Sequence, residues 1–365
     1  MRYQYTTFEK LFIESGVMIR PKIEGVQIDK AEIIEAQDFS YLLIKNAIIY
    51  PFAPGIFVEN RWIFDDINYA PKDWNVQHWM NLDSYGFDNE SKTLGINKKI
   101  DPKEYRVQKG NSFYIDTVVF SNFGHFIHDV APSAQLFDWI YRGVPDLKPV
   151  LKNKFAYKNQ QDIFEKLFLE PNSSIAVEVP TIFENLYVPR RQQNFYSGYL
   201  HSEFENVLNF NIEGMRYATK KLSNSLGVSK NTIKKIYLYR KAMNQSTTSF
   251  QNRSFENTGE LNQRLLDNGF LAIDPSELSI IELHSLLFNA EIIVSIHGAG
   301  LANMIFANIG TTVIEIRPST GVWRSLEFCA KSLGYVFHSS IAMANKEGGQ
   351  VINVDQVMDI VKNAI

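Results

Sequence analysis

The sequence is nearly devoid of cysteine: Cys329 is the only one in 365 residues. No disulfide can close within the chain, and a thiolate zinc site is disfavoured. No uncharged apolar run approaches the roughly 20 residues of a membrane span. The first fifteen residues interleave Arg2, Glu9, Lys10 and Glu14 with apolar ones, so they lack the unbroken core of a signal peptide. These absences describe a cytoplasmic protein and still permit peripheral docking on the inner face of a membrane. Neither charge sign is in excess, with 37 Lys and Arg against 40 Asp and Glu and a net charge of −3. No dense basic patch is present, which speaks against a nucleic-acid partner. Low-complexity segments and fixed-period repeats are missing as well.

What is present is a globular composition, 45% apolar and 21% charged. The length exceeds one ordinary core and suits two domains. Nothing in it sets an oligomeric state. Aromatics make up 13%, with 26 Phe and 17 Tyr. Most belong in a core, and some would suit stacking on sugars or bases.

The first part of the chain reads as β-rich. Strand candidates at Ala47–Tyr50 and Gly55–Val58 are separated by Pro51 and Pro54, and turn formers fill residues 61–110. Asp65-Asp66 reads as a turn rather than a metal pair, because nothing nearby completes a cluster. Phe113–Phe120 predicts a strand. It runs into Asn122-Phe-Gly-His125-Phe-Ile-His128-Asp129-Val-Ala-Pro132. Ser121 or Asn122 can cap a helix there. His125, His128 and Asp129, spaced by three and four, then share one face. Strands are expected at Lys148–Leu151, Ser174–Val179 and Asn185–Val188, with a helix at Asn159–Phe168. Arg190 and Arg191 follow a strand end, where they could meet an anion or stay solvated. Glu203–Leu226 reads as a long helix crossing between domains.

From Lys235 onward the pattern alternates strictly. Strands are predicted at Lys235–Tyr239, Leu271–Ile273, Ile292–Ile296, Thr312–Ile316 and Tyr335–Ser339. Helices are predicted at Thr258–Asn268, Ser279–Asn289, Leu301–Phe306, Val322–Leu333 and Val354–Ala364. Such alternation means an α/β fold with a doubly wound parallel sheet. At its centre His297-Gly298-Ala299-Gly300 follows a buried strand and opens a helix. Glycines allow the sharp turn and a close ligand approach. Helical N–H groups at a strand's carboxyl end suit a phosphate. Glu315 and Arg317 end the next strand, an acid suited to ribose hydroxyls and a base suited to phosphate. The stretch fits a nucleotide-diphosphate pocket, and it fits an ordinary βαβ unit with a tight turn. Arg240, at the end of another strand, would open on the same crevice as His297, Gly298 and Glu315.

Several motifs in this order resemble the glycosyltransferase 61 family, which is linked to capsular polysaccharide synthesis. They are Tyr237-Leu-Tyr-Arg240, Arg253 with Asn257, Gly269-Phe270, the Leu278–Ala290 helix, His297-Gly-Ala-Gly-Leu-Ala-Asn303-Met-Ile-Phe306 and Gly310-Thr-Thr-Val-Ile-Glu315-Ile. Asn122-Phe-Gly124-His125 with Asp129-Val-Ala-Pro132 looks like the family's N-terminal motif. Residues 1–45 and 140–230 carry little of the likeness. Two departures are Glu282-Leu-His284, where members often have Glu-Gln, and Ser254 after Arg253, where many have a second basic residue.

The resemblance implies a GT-B architecture, two Rossmann-like domains facing a central cleft, the N-terminal one with extra β-strands. Domains are expected at 1–205 on the acceptor side and 206–345 on the nucleotide-sugar side, with a helix over 346–365 free to pack back on the first. It implies an inverting, metal-independent transferase that moves a sugar, with UDP the expected nucleotide, to a glycan or lipid-linked glycan. No cofactor is expected, and the nucleotide-sugar is a substrate. The sequence has no Asp-x-Asp motif at a strand end, so Arg240, Arg253 and the helix start at Gly298–Gly300 would receive the leaving diphosphate. Asn257, His297, Ala299, Asn303, Glu315 and Arg317 complete the expected donor side, and Asn122 and Gly124 lie on the acceptor side. The general base would come from His125, Asp129 or His128, with the His125/Asp129 pair preferred. The competing readings are another nucleotide-sugar enzyme, such as an epimerase or sugar-phosphate transferase, and a non-catalytic nucleotide- or glycan-binding protein.

Overall fold

The computed structural model describes residues 39–51, 102–115, 122–152, 154–168, 174–189, 212–227, 231–239, 255–319, 325–345 and 349–364, plus short strands within 2–36 and 56–96. The chain forms two compact units. Unit 1 is Met1–Ser121, Ser133–Phe155 and Phe168–Gly214, and unit 2 is Asn122–Pro132, Ala156–Leu167 and Met215–Ile365. The boundaries expected at 205 and 345 follow the chain linearly, and the units do not. The histidine segment Asn122–Pro132 belongs to unit 2, because it packs on the glycine corner that begins at Ala299. No helix of the described residues is long and apolar enough to cross a membrane.

Among the described residues, unit 1 holds a sheet of eleven strands. They are β1 (Arg2–Thr7), β2 (Ala31–Ala36), β3 (Phe39–Ile49), β4 (Ile56–Val58), β5 (Arg61–Phe64), β6 (Tyr85–Asp88), β7 (Thr93–Ile96), β8 (Arg106–Tyr114), β9 (Lys148–Leu151), β10 (Ile175–Ala176) and β11 (Thr181–Pro189). The spatial order is β10-β9-β8-β11-β3-β4-β5-β1-β7-β6, and β2 pairs with β3. The first four strands are mutually parallel. Their order, 3-2-1-4, is that of the first half of a doubly wound sheet. From β3 onward the pairings are antiparallel, except that β5 and β1 run parallel. Its core gathers Leu42, Ile44, Val150, Phe183 and Leu186, all fully buried. The strand expected over Phe113–Phe120 meets β8 at Phe113 and Tyr114, where β8, having started earlier, ends; residues 116–120 lie outside the described residues. Its first half is polar and exposed, so pattern alone did not reveal it.

Unit 2 carries a five-stranded sheet built from β12 (Lys235–Leu238), β13 (Leu271–Ile273), β14 (Ile292–Ile296), β15 (Thr312–Arg317) and β16 (Val336–Ile341). The spatial order β13-β12-β14-β15-β16 is parallel throughout. Read by chain order it is 2-1-3-4-5, a doubly wound arrangement whose direction reverses between β12 and β14. Ligands in such sheets sit at that reversal, beyond the carboxyl ends of the strands. β14 and β15 are buried along almost their full length, as their β-branched runs predict. On one face Ile292, Val294, Ile314 and Ile316 join Leu261, Leu265, Val357 and Val361 in a single core. Leu261 and Leu265 lie on α4 (Thr258–Asp267), and the two valines on the terminal helix α7 (Val354–Asn363). α7 therefore completes the core of unit 2. The remaining helices are α1 (Ala134–Gly143), α2 (Lys158–Phe168), α3 (Ile212–Leu226), α5 (Ile280–Leu287) and α6 (Ser325–Ser332).

Local chemistry explains the helix starts. Ser279 and Glu282 form a complete capping box at α5. Glu282 thus has a structural task, and its carboxyl sits below the usual range because the Ser279 backbone N–H and hydroxyl bond to it. The departure from the family pattern at His284 places a buried imidazole against the Phe306 and Phe288 rings, with Nε2 3.4 Å from Ser223 Oγ. The side chain of Asn159 on α2 donates to the carbonyls of Pro275 and Leu278, joining Ala156–Leu167 to unit 2.

Candidate active site

The histidine segment begins with a cap. Asn122 Oδ1 accepts from the N–H groups of Gly124 and His125, as expected for an N-cap. One α-helical turn, Phe123–His125, passes into a π-helical stretch, Phe126–Val130, and then a 3₁₀ turn, Ala131–Ser133. Pro132 offers a physical reason: it has no N–H and its ring would crowd the carbonyl of His128 in a regular α-helix. Widened π turns of this kind are frequent at functional sites. Phe126, Ile127 and Val130 are fully buried and fix the segment.

The widened turn brings His125, His128 and Asp129 onto one carboxylate. His125 Nδ1 lies 3.0 Å from Asp129 Oδ2, and His128 Nδ1 lies 2.5 Å from Asp129 Oδ1. The Asp129 side chain is 0% exposed and that of His125 12%. Burial alone would raise the Asp129 pKa, but attraction and hydrogen bonds from His128 and His125 overcome it and hold the carboxyl well below its ordinary range. An ionised carboxylate only accepts, so both rings present Nδ1–H to it and carry their lone pair on Nε2. Each ring is then an oriented base. These three residues are also the one described set whose ligand atoms, all within 4.8 Å of one another, have the types a divalent metal takes. In this structure hydrogen bonds within the set already pair both Nδ1 atoms with the carboxylate.

The glycine corner follows β14. Gly298 has φ 154° and ψ 177°, a region essentially confined to glycine. The short helix expected over Leu301–Phe306 is present as a 3₁₀ helix, Ala299–Phe306. A Cβ on Gly300 would meet no atom within 4 Å, so its surroundings are open. Gly124 is where the two constellations touch: a Cβ there would come within 3.5 Å of the Ala299 Cα. Asn303 is buried; its Nδ2 donates to the Gly300 carbonyl, bracing the corner.

His297, Glu315 and Arg317 come together for a reason that lies in register. Ser295 pairs with Glu315 across β14 and β15, and alternate residues share a face, so His297, Glu315 and Arg317 point the same way. His297 Nδ1 lies 2.6 Å from Glu315 Oε1, and Arg317 Nε donates to Glu315 Oε2 at 2.6 Å. Arg317 Nη2 donates to Glu327 Oε2 at 3.1 Å, and Lys331 Nζ donates to Glu327 Oε1 at 2.7 Å. Glu315 is 0% exposed, and both its oxygens are engaged. Within this structure it holds His297, whereas the sequence suggested a carboxylate offered to ribose. Arg317 is likewise occupied inside the protein, with its guanidinium over the Phe337 ring. Glu327 went unnoticed in the sequence; its one signal was an ordinary helical i,i+4 pair with Lys331.

Asn257 bonds to other partners. Its side chain donates to the Ile352 carbonyl and accepts from the Ile352 N–H, clasping the start of α4 to the approach of α7. Arg240 and Arg253 lie outside the described residues, as do Asp65, Asp66, Arg190 and Arg191.

The sequence profile of Glycosyltransferase 61 matches residues 123–314, more than half of the chain. The chain belongs to glycosyltransferase family 61. The match opens on the histidine segment and closes within β15, so it takes in the Asp129 cluster and the glycine corner together. Family 61 membership gives the chain a sugar donor and an acceptor as its substrates. No curated protein matches the chain in sequence.

The buried histidines make stability depend on pH. Burial holds His128 and His284 below the usual imidazole range, and in His128 the pull of Asp129 does not reverse this. Both rings therefore stay neutral in the fold, while the unfolded chain takes up protons below about pH 6.5. Their stabilisation is full above that value and is lost as pH falls through it. Asp129 acts in the same sense at lower pH: its stabilisation is full above its unfolded value near 3.8 and is lost as pH falls below it. The urea midpoint is expected to hold steady above about pH 7 and to fall as pH drops below about 6.5. His284→Gln should flatten that fall, and an unchanged slope would remove His284 from the account.

Proposed function

We propose that the protein is an inverting, metal-independent glycosyltransferase that passes a sugar from a nucleotide-sugar, with UDP as the nucleotide, to a glycan or lipid-linked glycan during surface polysaccharide or glycoconjugate synthesis. The observation that carries this reading is the Asp129 carboxylate gripping two histidines by Nδ1, on a segment whose Gly124 packs against Ala299 of the glycine corner.

Inverting transfer is an in-line displacement at the anomeric carbon. A base takes the acceptor hydroxyl proton as the oxygen attacks, and the sugar–phosphate bond breaks with its electrons going to the diphosphate. His125 Nε2 is the base, being the less buried ring of the pair, and Asp129 orients it and stabilises the imidazolium. His128, more deeply buried, holds the other carboxylate oxygen. The diphosphate is received at the glycine corner by backbone N–H groups, with Arg240 and Arg253 supplying positive charge. A GT-B arrangement, with the glycan presented from the N-terminal side, is part of the same reading. So is action in the cytoplasm at a membrane's inner face.

A thermal-shift screen of nucleoside diphosphates tests the donor. UDP should raise the melting point, since a ligand at about 100 times its Kd stabilises by roughly 2.7 kcal/mol. Slow hydrolysis of a UDP-sugar without acceptor, unchanged by EDTA, should accompany it. Absence of a shift with every nucleotide would overturn the donor assignment, and activity restored only by added divalent metal would overturn metal independence.

A further inference from the structure

We infer that Glu315 is a positioning residue for His297, fixing the ring so that its Nε2 accepts from a hydroxyl of the bound donor instead of donating to phosphate. This rests on the proposed nucleotide-sugar reading.

The argument begins with what Glu315 can offer. Its side chain is fully buried, and Arg317 Nε donates to Oε2 at 2.6 Å. Arg317 in turn is shared with Glu327, and Glu327 with Lys331, so acid and base alternate from the protein surface to the corner. A carboxylate paired in this way only accepts. Oε1 therefore takes the Nδ1–H of His297 at 2.6 Å. A neutral ring so held carries its lone pair on Nε2, which makes it an acceptor toward the ligand. Phosphate oxygens are acceptors too and would gain nothing from it. A ribose hydroxyl, which donates, is the matching group. The backbone N–H of His297 bonds to the Ile316 carbonyl at 2.8 Å, so the residue is held from both main chain and ring.

Glu315→Gln tests this because the shape is kept and the donor pattern is reversed. Arg317 Nε–H requires an oxygen, so the glutamine carbonyl turns to Arg317 and its NH₂ faces His297. The ring must then accept at Nδ1 and carry its hydrogen on Nε2. In the ligand-free protein, long-range proton–nitrogen spectra should show His297 with Nδ1–H in the wild type and Nε2–H in Glu315→Gln. A wild-type ring with Nε2–H overturns the inference. The second arm is a double-mutant cycle on UDP affinity. Glu315→Gln should weaken UDP about tenfold, the order of one lost hydrogen bond, and have no further effect in His297→Ala. Equal losses in both backgrounds would mean that Glu315 acts through general stability and would also overturn it. Melting points serve as the folding control; should Glu315→Gln fail to fold, the wild-type spectrum decides. If the wild type binds no nucleotide, the donor reading fails, and the spectra alone then judge the Glu315–His297 pair.

Discussion

The Asp129→Ala variant is expected to lose about 100- to 10,000-fold in turnover, with donor affinity nearly unchanged. The carboxylate does two things that no neighbour can replace. It fixes the Nδ1–H form of both histidines, and in the proposed mechanism its charge stabilises the imidazolium formed when the acceptor proton is taken. Without it the His125 ring is free to present the wrong nitrogen to the acceptor. Asp129→Asn should be nearly as damaging: an amide can accept from one ring but must present its NH₂ to the other. Steady-state kinetics on a UDP-sugar, read as kcat separately from KM, check the expectation, with melting points to exclude misfolding. Normal turnover in both Asp129→Ala and His125→Ala would retire the base assignment. Loss confined to KM would point to a binding role.

Arg317→Met is expected to be among the most damaging changes to stability. Glu315 and Glu327 are both buried and both rely on this guanidinium. Removing one member of a buried ionic group leaves the others uncompensated, a loss of about 3–5 kcal/mol. Urea denaturation of the variant measures it directly. The triple change Arg317→Met, Glu315→Gln, Glu327→Gln should recover much of that loss, because no buried charge is then stranded. A single variant as stable as the wild type would show that water or another cation reaches the carboxylates.

The second half of the fold could be read from sequence because its strands are short, apolar and β-branched. Leu271–Ile273 and Ile292–Ile296 match their predicted limits. Lys148–Leu151 in the first half matches as well. The longest strand of unit 1, Phe39–Ile49, was legible only at its end. Lys45-Asn46 interrupts its pattern, and Asn46 takes φ 52°, a left-handed conformation that asparagine tolerates. The histidine cluster was visible as spacing. The choice of Nδ1 on both rings was not, because it depends on a widened helical turn. The chain of bonds from His297 through Glu315 and Arg317 to Glu327 was hidden for another reason. It depends on strand register, which no local pattern encodes.

Unit 2 is assembled from three stretches of chain, and this sets an order of events during synthesis. Asn122–Pro132 and Ala156–Leu167 leave the ribosome long before β14, β15 and α7, the elements that complete their unit. Domains commonly fold as the nascent chain emerges. Here the two early stretches must wait, with Phe126, Ile127 and Phe164 uncovered, until translation is almost complete. A gene cut at residue 215 would therefore yield a C-terminal half without its histidine segment and an N-terminal half bearing segments that have nowhere to dock. Co-expression of the two halves, rather than either alone, is the arrangement from which activity should return.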